Sequence, residues 1–267
     1  MRMAEAKRFR VSLHGKAFDL AALHSGGKGP ALFFLHALGG CKEQFLDAFS
    51  HPGLAGRELL AVDLPGFGDS PLPPDFSCSL EAYAELLYGF FLQHRLADVV
   101  LVGHSMGGAI GLLLAERLGL ACKGFISLEG NLTPNDPVSS RQAARFSQDD
   151  FLHGGFEILV EGFRHAHGRA AQFLVQALAR CSPLAYHRAS LSLVAWSDSG
   201  DLLWKLEQLP CSKAYFYGDH TRSLEAVQDL EGEIECIRIP GAGHFLMLDN
   251  PVECYAKLAE AMSMDSK

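Results

Sequence analysis

Gly103-His104-Ser105-Met106-Gly107 sets a serine between two glycines, directly after the apolar run Val99–Val102 and before Gly108–Ala115. A serine hydroxyl is a poor nucleophile until it is exposed, held rigid and paired with a base. A strand-to-helix turn with the serine at its apex meets the first two needs, because only small flanking residues let strand and helix pass so closely. The helix that begins at Met106 adds unpaired N–H groups and positive potential where negative charge develops in acyl transfer. A base is available near the other end of the chain, in Pro240-Gly241-Ala242-Gly243-His244-Phe245-Leu246, where a histidine follows a glycine-rich turn after a strand-like run. With Nε2 in reach of the hydroxyl, His244 takes its proton. The turn His36-Ala37-Leu38-Gly39-Gly40 exposes backbone N–H groups between small residues. The expected oxyanion donors are the amides of Leu38, or alternatively Ala37, and of Met106.

Other polar positions read as structural. Asp63 and Asp69, in Asp63-Leu64-Pro65-Gly66-Phe67-Gly68-Asp69-Ser70, hold a turn by local hydrogen bonds. His165 and His167 stand two apart, which on a helix aims the rings at different faces and argues against a metal pair. No metal site is expected. Phe91, Phe146, Phe151, Phe156, Phe163 and Phe173 read as core, with the later ones available to line an apolar acyl pocket.

These residues must be positioned by regular elements. Phe9–His14 and Ala17–Leu20 alternate around Gly15-Lys16 and predict an opening hairpin. Short apolar runs at Ala31–Leu35, Leu59–Val62, Val99–Val102, Gly124–Leu128, Ala214–Tyr217 and Ile234–Ile239 predict buried parallel strands. Helical spacing at Ser79–His94, capped by Ser79, at Met106–Arg117 and at Pro251–Met262 falls between or after them. Strand alternating with helix is an α/β fold with a mostly parallel central sheet flanked by helices. From about Asn131 to Leu209 the alternation stops; only helical stretches appear, at Ser139–Phe146, Asp150–Arg164, Ala170–Ala179 and Leu184–Ser197. The chain therefore divides into core 1–130, a helical cap 131–209, inserted after the strand that follows the nucleophile helix, and core 210–267. Such a cap packs over the carboxyl ends of the strands, where open α/β sheets bind ligands, and excludes water.

Bulk composition is that of an ordinary globular chain: 267 residues, 48% hydrophobic, 20% charged. A net charge of −8 without a basic stretch excludes a nucleic-acid or anionic-membrane partner and leaves a small-molecule substrate. The seven cysteines show no C-x-x-C pair and read as thiols of a reducing compartment. No apolar stretch approaches the ~18 residues of a membrane span, and the first residues lack a signal-peptide pattern. A cytoplasmic location is expected.

In order and spacing, His36…Gly39-Gly40, Asp63…Pro65-Gly66-Phe67-Gly68-Asp69-Ser70, Gly103-His104-Ser105-Met106-Gly107-Gly108 and Gly241-Ala242-Gly243-His244 resemble the α/β-hydrolase superfamily over nearly the whole chain outside the helical insertion. The resemblance implies a Ser–acid–His triad, no cofactor and a helical cap over the site. Ala37 departs from the family's usual glycine after the histidine. His104 is a packing residue in such proteins. The family's acid most often lies three residues past a glycine ending the strand before the last; here Gly218 ends that run and Thr221 stands in the place, unable to serve. Asp219, one residue past the glycine, is one candidate. Some relatives, notably the dehalogenase branch, place the acid at the end of the strand after the nucleophile helix, where this chain has Glu129 in Ile126-Ser127-Leu128-Glu129-Gly130-Asn131. Glu129 is preferred, because a glutamate ending an apolar strand needs a polar partner and His244 provides one; the alternative is that it orders the entry to the cap through Asn131 or Arg141. Dehalogenase and epoxide-hydrolase chemistry is disfavoured because those relatives use an aspartate where this chain has Ser105. The expected activity is hydrolysis of an ester or similarly activated carbonyl of a small, largely apolar substrate. Carbon–carbon bond hydrolysis, acyl transfer or perhydrolysis by the same triad, and a catalytically silent ligand receptor on the same fold, are the alternatives.

Overall fold

Alternate residues of the central strands face two separate cores, and this sandwich sets the architecture. In the computed structural model, which describes residues 4–221, 225–230 and 232–264, the chain runs β1 (Glu5–Leu13), β2 (Lys16–Ser25), β3 (Lys28–Leu35), β4 (Arg57–Val62), α1 (Leu80–His94), β5 (Val99–His104), α2 (Met106–Leu118) and β6 (Cys122–Leu128). After β6 come α3 (Val138–Ala143), the short α4 (Gln148–Asp150), α5 (Phe156–Arg164), α6 (Arg169–Leu178), α7 (Pro183–Ser199) and α8 (Asp201–Gln208). The chain closes with β7 (Ser212–Gly218), α9 (Glu225–Leu230), β8 (Glu235–Ile239), α10 (Leu246–Asp249) and α11 (Pro251–Met264). The strands form one eight-stranded sheet in the order β1-β2-β4-β3-β5-β6-β7-β8. β2 pairs antiparallel with β1 and β4, and every pair from β4 onward is parallel.

Phe33, Leu35, Val99 and Leu101 point to the side covered by α1 and α2, while Leu32, Phe34, Val100 and Val102 point to the side covered by α10, α11 and the 3-10 turns of Lys42–Ser50. Each such side chain, fully withdrawn from water, contributes roughly 1.5–3 kcal/mol relative to exposure. This two-sided burial is why the parallel strands read as unbroken apolar runs. Ser79 caps α1, its hydroxyl accepting the amide of Ala82, as the sequence predicts.

All described residues between β6 and β7 are helical or looped, matching the predicted break in the alternation. Two details differ. The helix expected over 150–164 is interrupted at Phe151–Gly155, where Gly154 takes φ +159° and ψ −26°, a backbone no helix uses and glycine tolerates. A further helix, α8, follows Gly200, whose left-handed φ of +76° ends α7. Among the described residues no helix is long and apolar enough to cross a membrane.

Parallel pairing aligns the carboxyl ends of the strands. Leu35 pairs with Gly103, His104 with Leu128, Leu128 with Phe216 and Gly218 with Ile239. The residues following those ends are His36–Leu38, Ser105, Glu129, Asp219–Thr221 and the turn to His244. Residues more than 200 positions apart are thereby gathered on one edge.

Candidate active site

Ser105 sits between β5 and α2 at φ +52° and ψ −120°, well outside the helical region. The turn exists only because its neighbours lack side chains. A Cβ on Gly103 would lie 2.4 Å from the Gly107 carbonyl oxygen, and one on Gly107 would lie 2.2 Å from that of Leu35. Strain of this kind persists where surrounding structure holds it. Here the Ser105 amide donates to the Leu128 carbonyl (3.2 Å), and the Ser105 carbonyl accepts the amides of Gly108 (2.8 Å) and Asn131 (3.4 Å). The hydroxyl donates to Asn131 Oδ1 at 3.3 Å.

Glu129 ends β6 with its own left-handed backbone, φ +44°. Its carboxylate is fully buried, and a buried charge requires partners. It has three. His244 Nδ1 lies 2.8 Å from Oε2; Oε1 accepts the amide of Gly218 at 2.8 Å and the hydroxyl of Thr221. A carboxylate only accepts, so Nδ1 carries the proton and Nε2 holds the lone pair. Thr221 thus stands where relatives are expected to keep their acid, and it donates to the carboxylate arriving from the neighbouring strand. The two hints, a glutamate at one strand end and a threonine at the next, were both in the sequence; nothing local joined them.

Asp219 lies elsewhere. Its Oδ2 accepts the Gly241 amide (2.9 Å) and its Oδ1 accepts Arg238 (2.9 Å), contacts that, the amide first, hold its carboxyl below the ordinary aspartate range. It braces the turn that carries His244. Arg141, the alternative partner considered for Glu129, instead pairs with Asp198 and with the carbonyl of Pro134.

The turn after β3 is similarly tied. His36 donates from Nδ1 to the Ala37 carbonyl (2.8 Å) and accepts the Leu64 amide on Nε2 (3.1 Å); burial lowers its pKa. The Ala37 amide donates to Gln44 Oε1 at 3.3 Å. The amides of Leu38 and Met106 have no acceptor among the described residues.

Asp63 and Asp69 take the structural part expected of them. Lys42, buried, reaches Asp63 (2.8 Å), Asp69 (2.6 Å) and Glu43 (2.9 Å), and Asp63 also accepts the amides of Lys42 and Asp69. Arg180, from the loop between α6 and α7, joins Glu43 (2.9 Å), Asp69 (3.2 Å) and the Cys41 sulfur (3.1 Å). The donor atoms of Cys41, Glu43 and Asp63 lie within 4.8 Å of one another, a spacing that would suit a metal ion. Lys42 and Arg180 already neutralise that cluster, so it reads as an ion-pair network. His165 pairs with Glu161 on an exposed helix face, as a surface histidine.

Ser105, Glu129, Asn131, Leu38 and His244 line a cavity of about 430 Å³. Its other wall comes from the helical insertion, through Val138, Phe163, Leu174 and Tyr186. Phe163 is thus the phenylalanine of the insertion that reaches the cavity wall, while Phe151 packs against Tyr186 inside the insertion. A hollow of similar size, about 420 Å³, lies at the opposite ends of β5, β6 and β7; it is lined by charges such as Lys123 and Asp98 and contains no histidine.

The comparisons agree with the fold. The pattern of the alpha/beta hydrolase family matches residues 32–257, and the chain belongs to that family. An sn-1-specific diacylglycerol lipase of Mus musculus is 46% identical over 87 residues, 32% of this chain and 28% of that protein's length. A thermophilic esterase from Thermogutta terrifontis superposes with a TM-score of 0.81 at 21% identity, covering 98% of this chain and all of the other. A structure from work on the carboxylesterases of Nitrososphaera gargenis gives a TM-score of 0.80 at 16% identity, over 96% of this chain and 98% of the other. At such identities the structural likeness is one of fold.

Proposed function

We propose that the chain is a serine hydrolase that cleaves an ester, or a similarly activated carbonyl, of a small and largely apolar substrate through an acyl-enzyme. The observation that carries this reading is that a strained, exposed-edge serine and a histidine bound through Nδ1 to a buried carboxylate face one cavity. On substrate binding the Ser105 hydroxyl turns from Asn131 to His244. Its oxygen attacks the carbonyl carbon while Nε2 takes the proton. Glu129 keeps the imidazole in the reactive tautomer and stabilises the imidazolium. The amides of Leu38 and Met106 hold the oxyanion, the second of them at a helix N-terminus where the dipole adds to the effect. Collapse expels the alcohol, which leaves with the proton from His244. Water then attacks the acyl carbon, gives a proton to His244, and releases the acid as Ser105 regains its hydrogen.

Substrate size and polarity follow from the cavity. Val138, Phe163 and Leu174 offer an apolar wall to an acyl chain, and the helical insertion acts as a cap that limits water. The names of the mouse lipase and the Thermogutta esterase, both acyl-ester chemistries, support the same substrate class. The test is intact-mass labelling with a fluorophosphonate, together with turnover of a short-chain p-nitrophenyl ester. One adduct on the native protein, missing in Ser105→Ala along with the turnover, is the expected result. An adduct that survives in Ser105→Ala, or a folded native protein that neither labels nor turns over, sinks the proposal.

A further inference from the structure

Between the turn after β3 and the turn that carries His244 lies a buried chain of hydrogen bonds that the mechanism above does not use. The Ala37 amide donates to Gln44 Oε1 (3.3 Å), Gln44 Nε2 donates to His104 Nδ1 (2.8 Å), and His104 Nε2 donates to the backbone carbonyl of His244 (2.8 Å). Ala37, Gln44 and His104 are all buried. Only one arrangement of protons satisfies the three bonds. The amide of Ala37 fixes which end of the Gln44 side chain is oxygen; the remaining NH₂ fixes His104 as an acceptor on Nδ1; that leaves the N–H of Nε2 for His244. His104, expected from the sequence as packing, is therefore bonded on both ring nitrogens. The room for this was made elsewhere: a Cβ on Gly40 would meet Gln44 Oε1 at 2.7 Å.

We infer that Gln44 and His104 are positioning residues of the proposed hydrolysis, forming a strut under Ser105 that holds the oxyanion turn and the His244 turn in mutual register. The inference rests on the serine-hydrolase reading. His104 is the residue before the nucleophile, so the strut passes through β5 itself. It acts at both ends. By engaging the Ala37 amide it leaves that of Leu38 as the donor toward the cavity. By holding the His244 carbonyl it fixes the height of the imidazole whose Nδ1 meets Glu129. The rings of His104 and His244 lie 4.7 Å apart between centroids. His104 must stay neutral when His244 becomes an imidazolium, and Gln44 ensures this, because a proton on Nδ1 would face an N–H. Burial, and next the neighbouring His244, push the His104 pKa well below the ordinary range in the same sense.

Steady-state kinetics on a p-nitrophenyl ester with the full chain test the strut. His104→Phe keeps the ring's bulk but removes the donor; Gln44→Met removes the link to both neighbours; His104→Gln restores an N–H near the position of Nε2. A misplacement on the scale of 1 Å costs about 10²-fold, so His104→Phe and Gln44→Met are expected to lose about that much kcat at little-changed KM. His104→Gln is expected to recover most of it. Thermal melts establish that each variant is folded; should His104→Phe not fold, Gln44→Met and His104→Gln decide alone. Folded variants with native kcat, losses confined to KM, or a folded His104→Gln as slow as Gln44→Met overturn the inference. A native protein without esterase turnover or fluorophosphonate adduct would instead mark failure of the serine-hydrolase reading.

Discussion

Two carboxylates stand past strand ends on the same sheet edge, separated by β3 and β5, and share nearly everything except their partners. Asp63 follows β4 and Glu129 follows β6; both side chains are fully buried. Asp63 is matched by the ammonium of Lys42 and two backbone amides. Its charge is neutralised at all times, and its bonds are all made in the resting protein. Glu129 meets a backbone amide, a hydroxyl and His244, an imidazole with no permanent charge whose ring is 43% exposed. A buried carboxylate with a permanent cation is a fastening. One whose only ionisable partner opens on a cavity is equipped to answer a proton arriving there. The difference lies in the neighbour, not in the acid.

Substitutions at the two ends should separate these roles. Glu129→Gln preserves shape but no longer stabilises the imidazolium or enforces the tautomer, and kcat is expected to fall by about 10⁴-fold with the fold intact. Stopped-flow or long-time-course assays with a p-nitrophenyl ester, beside a urea melt, would check this. Asp63→Asn leaves Lys42 short of a buried partner and is expected to cost about 3 kcal/mol of stability, read from urea unfolding, rather than a comparable loss of turnover per folded molecule. If the two effects were exchanged, the contrast drawn above would be wrong.

Smaller changes sharpen it. Thr221→Val removes a hydrogen bond to the Glu129 carboxylate worth about 1.5 kcal/mol, so kcat should drop roughly tenfold. Asp219→Asn only loosens a partly exposed ion pair beside the His244 turn and should cost little turnover; a loss of kcat larger than that of Glu129→Gln would make Asp219 the acid. The smallest effect should appear in acid. Burial opposes ionisation of Glu43, yet hydrogen bonds from Cys41, Lys42 and Arg180 hold its carboxyl down at about 2, against an ordinary value of 4.5. The folded state therefore gives up this negative charge later than the unfolded chain does. The stability it contributes is complete above pH 4.5 and is lost as pH falls toward 2. Glu43→Gln should flatten that part of the stability curve in pH-dependent thermal melts, whereas activity at neutral pH should change little.

Much of this molecule was legible in one dimension. Period-two hairpins, apolar runs and helical spacing each report a local environment, so β1 to β8 and the helical stretch between β6 and β7 could be read within a few residues. Helix interruption at Gly154 was harder, since the flanking apolar pattern continues across it and only backbone torsion reveals the break. The Lys42–Ser50 turns carry a mixed pattern that no single period describes. At the site, Ser105 and His244 were visible because each lies in its own glycine-rich turn, whose chemistry is set by adjacent residues.

What the sequence determined, then, is everything that neighbours along the chain can enforce: the strained serine turn that needs Gly103 and Gly107, the histidine after Gly243, the turn of small residues after β3, and the order of strands and helices. Only the tertiary structure decided which carboxylate meets His244, that Thr221 bonds to it, that His104 and Gln44 bridge two distant turns, and which side chains of the helical insertion wall the cavity. Those outcomes depend on the lateral order of parallel strands. That order brings residues 129, 218 and 244 within one hydrogen-bonded cluster, and no local pattern records it, because each contact is made across the sheet between segments the chain visits far apart.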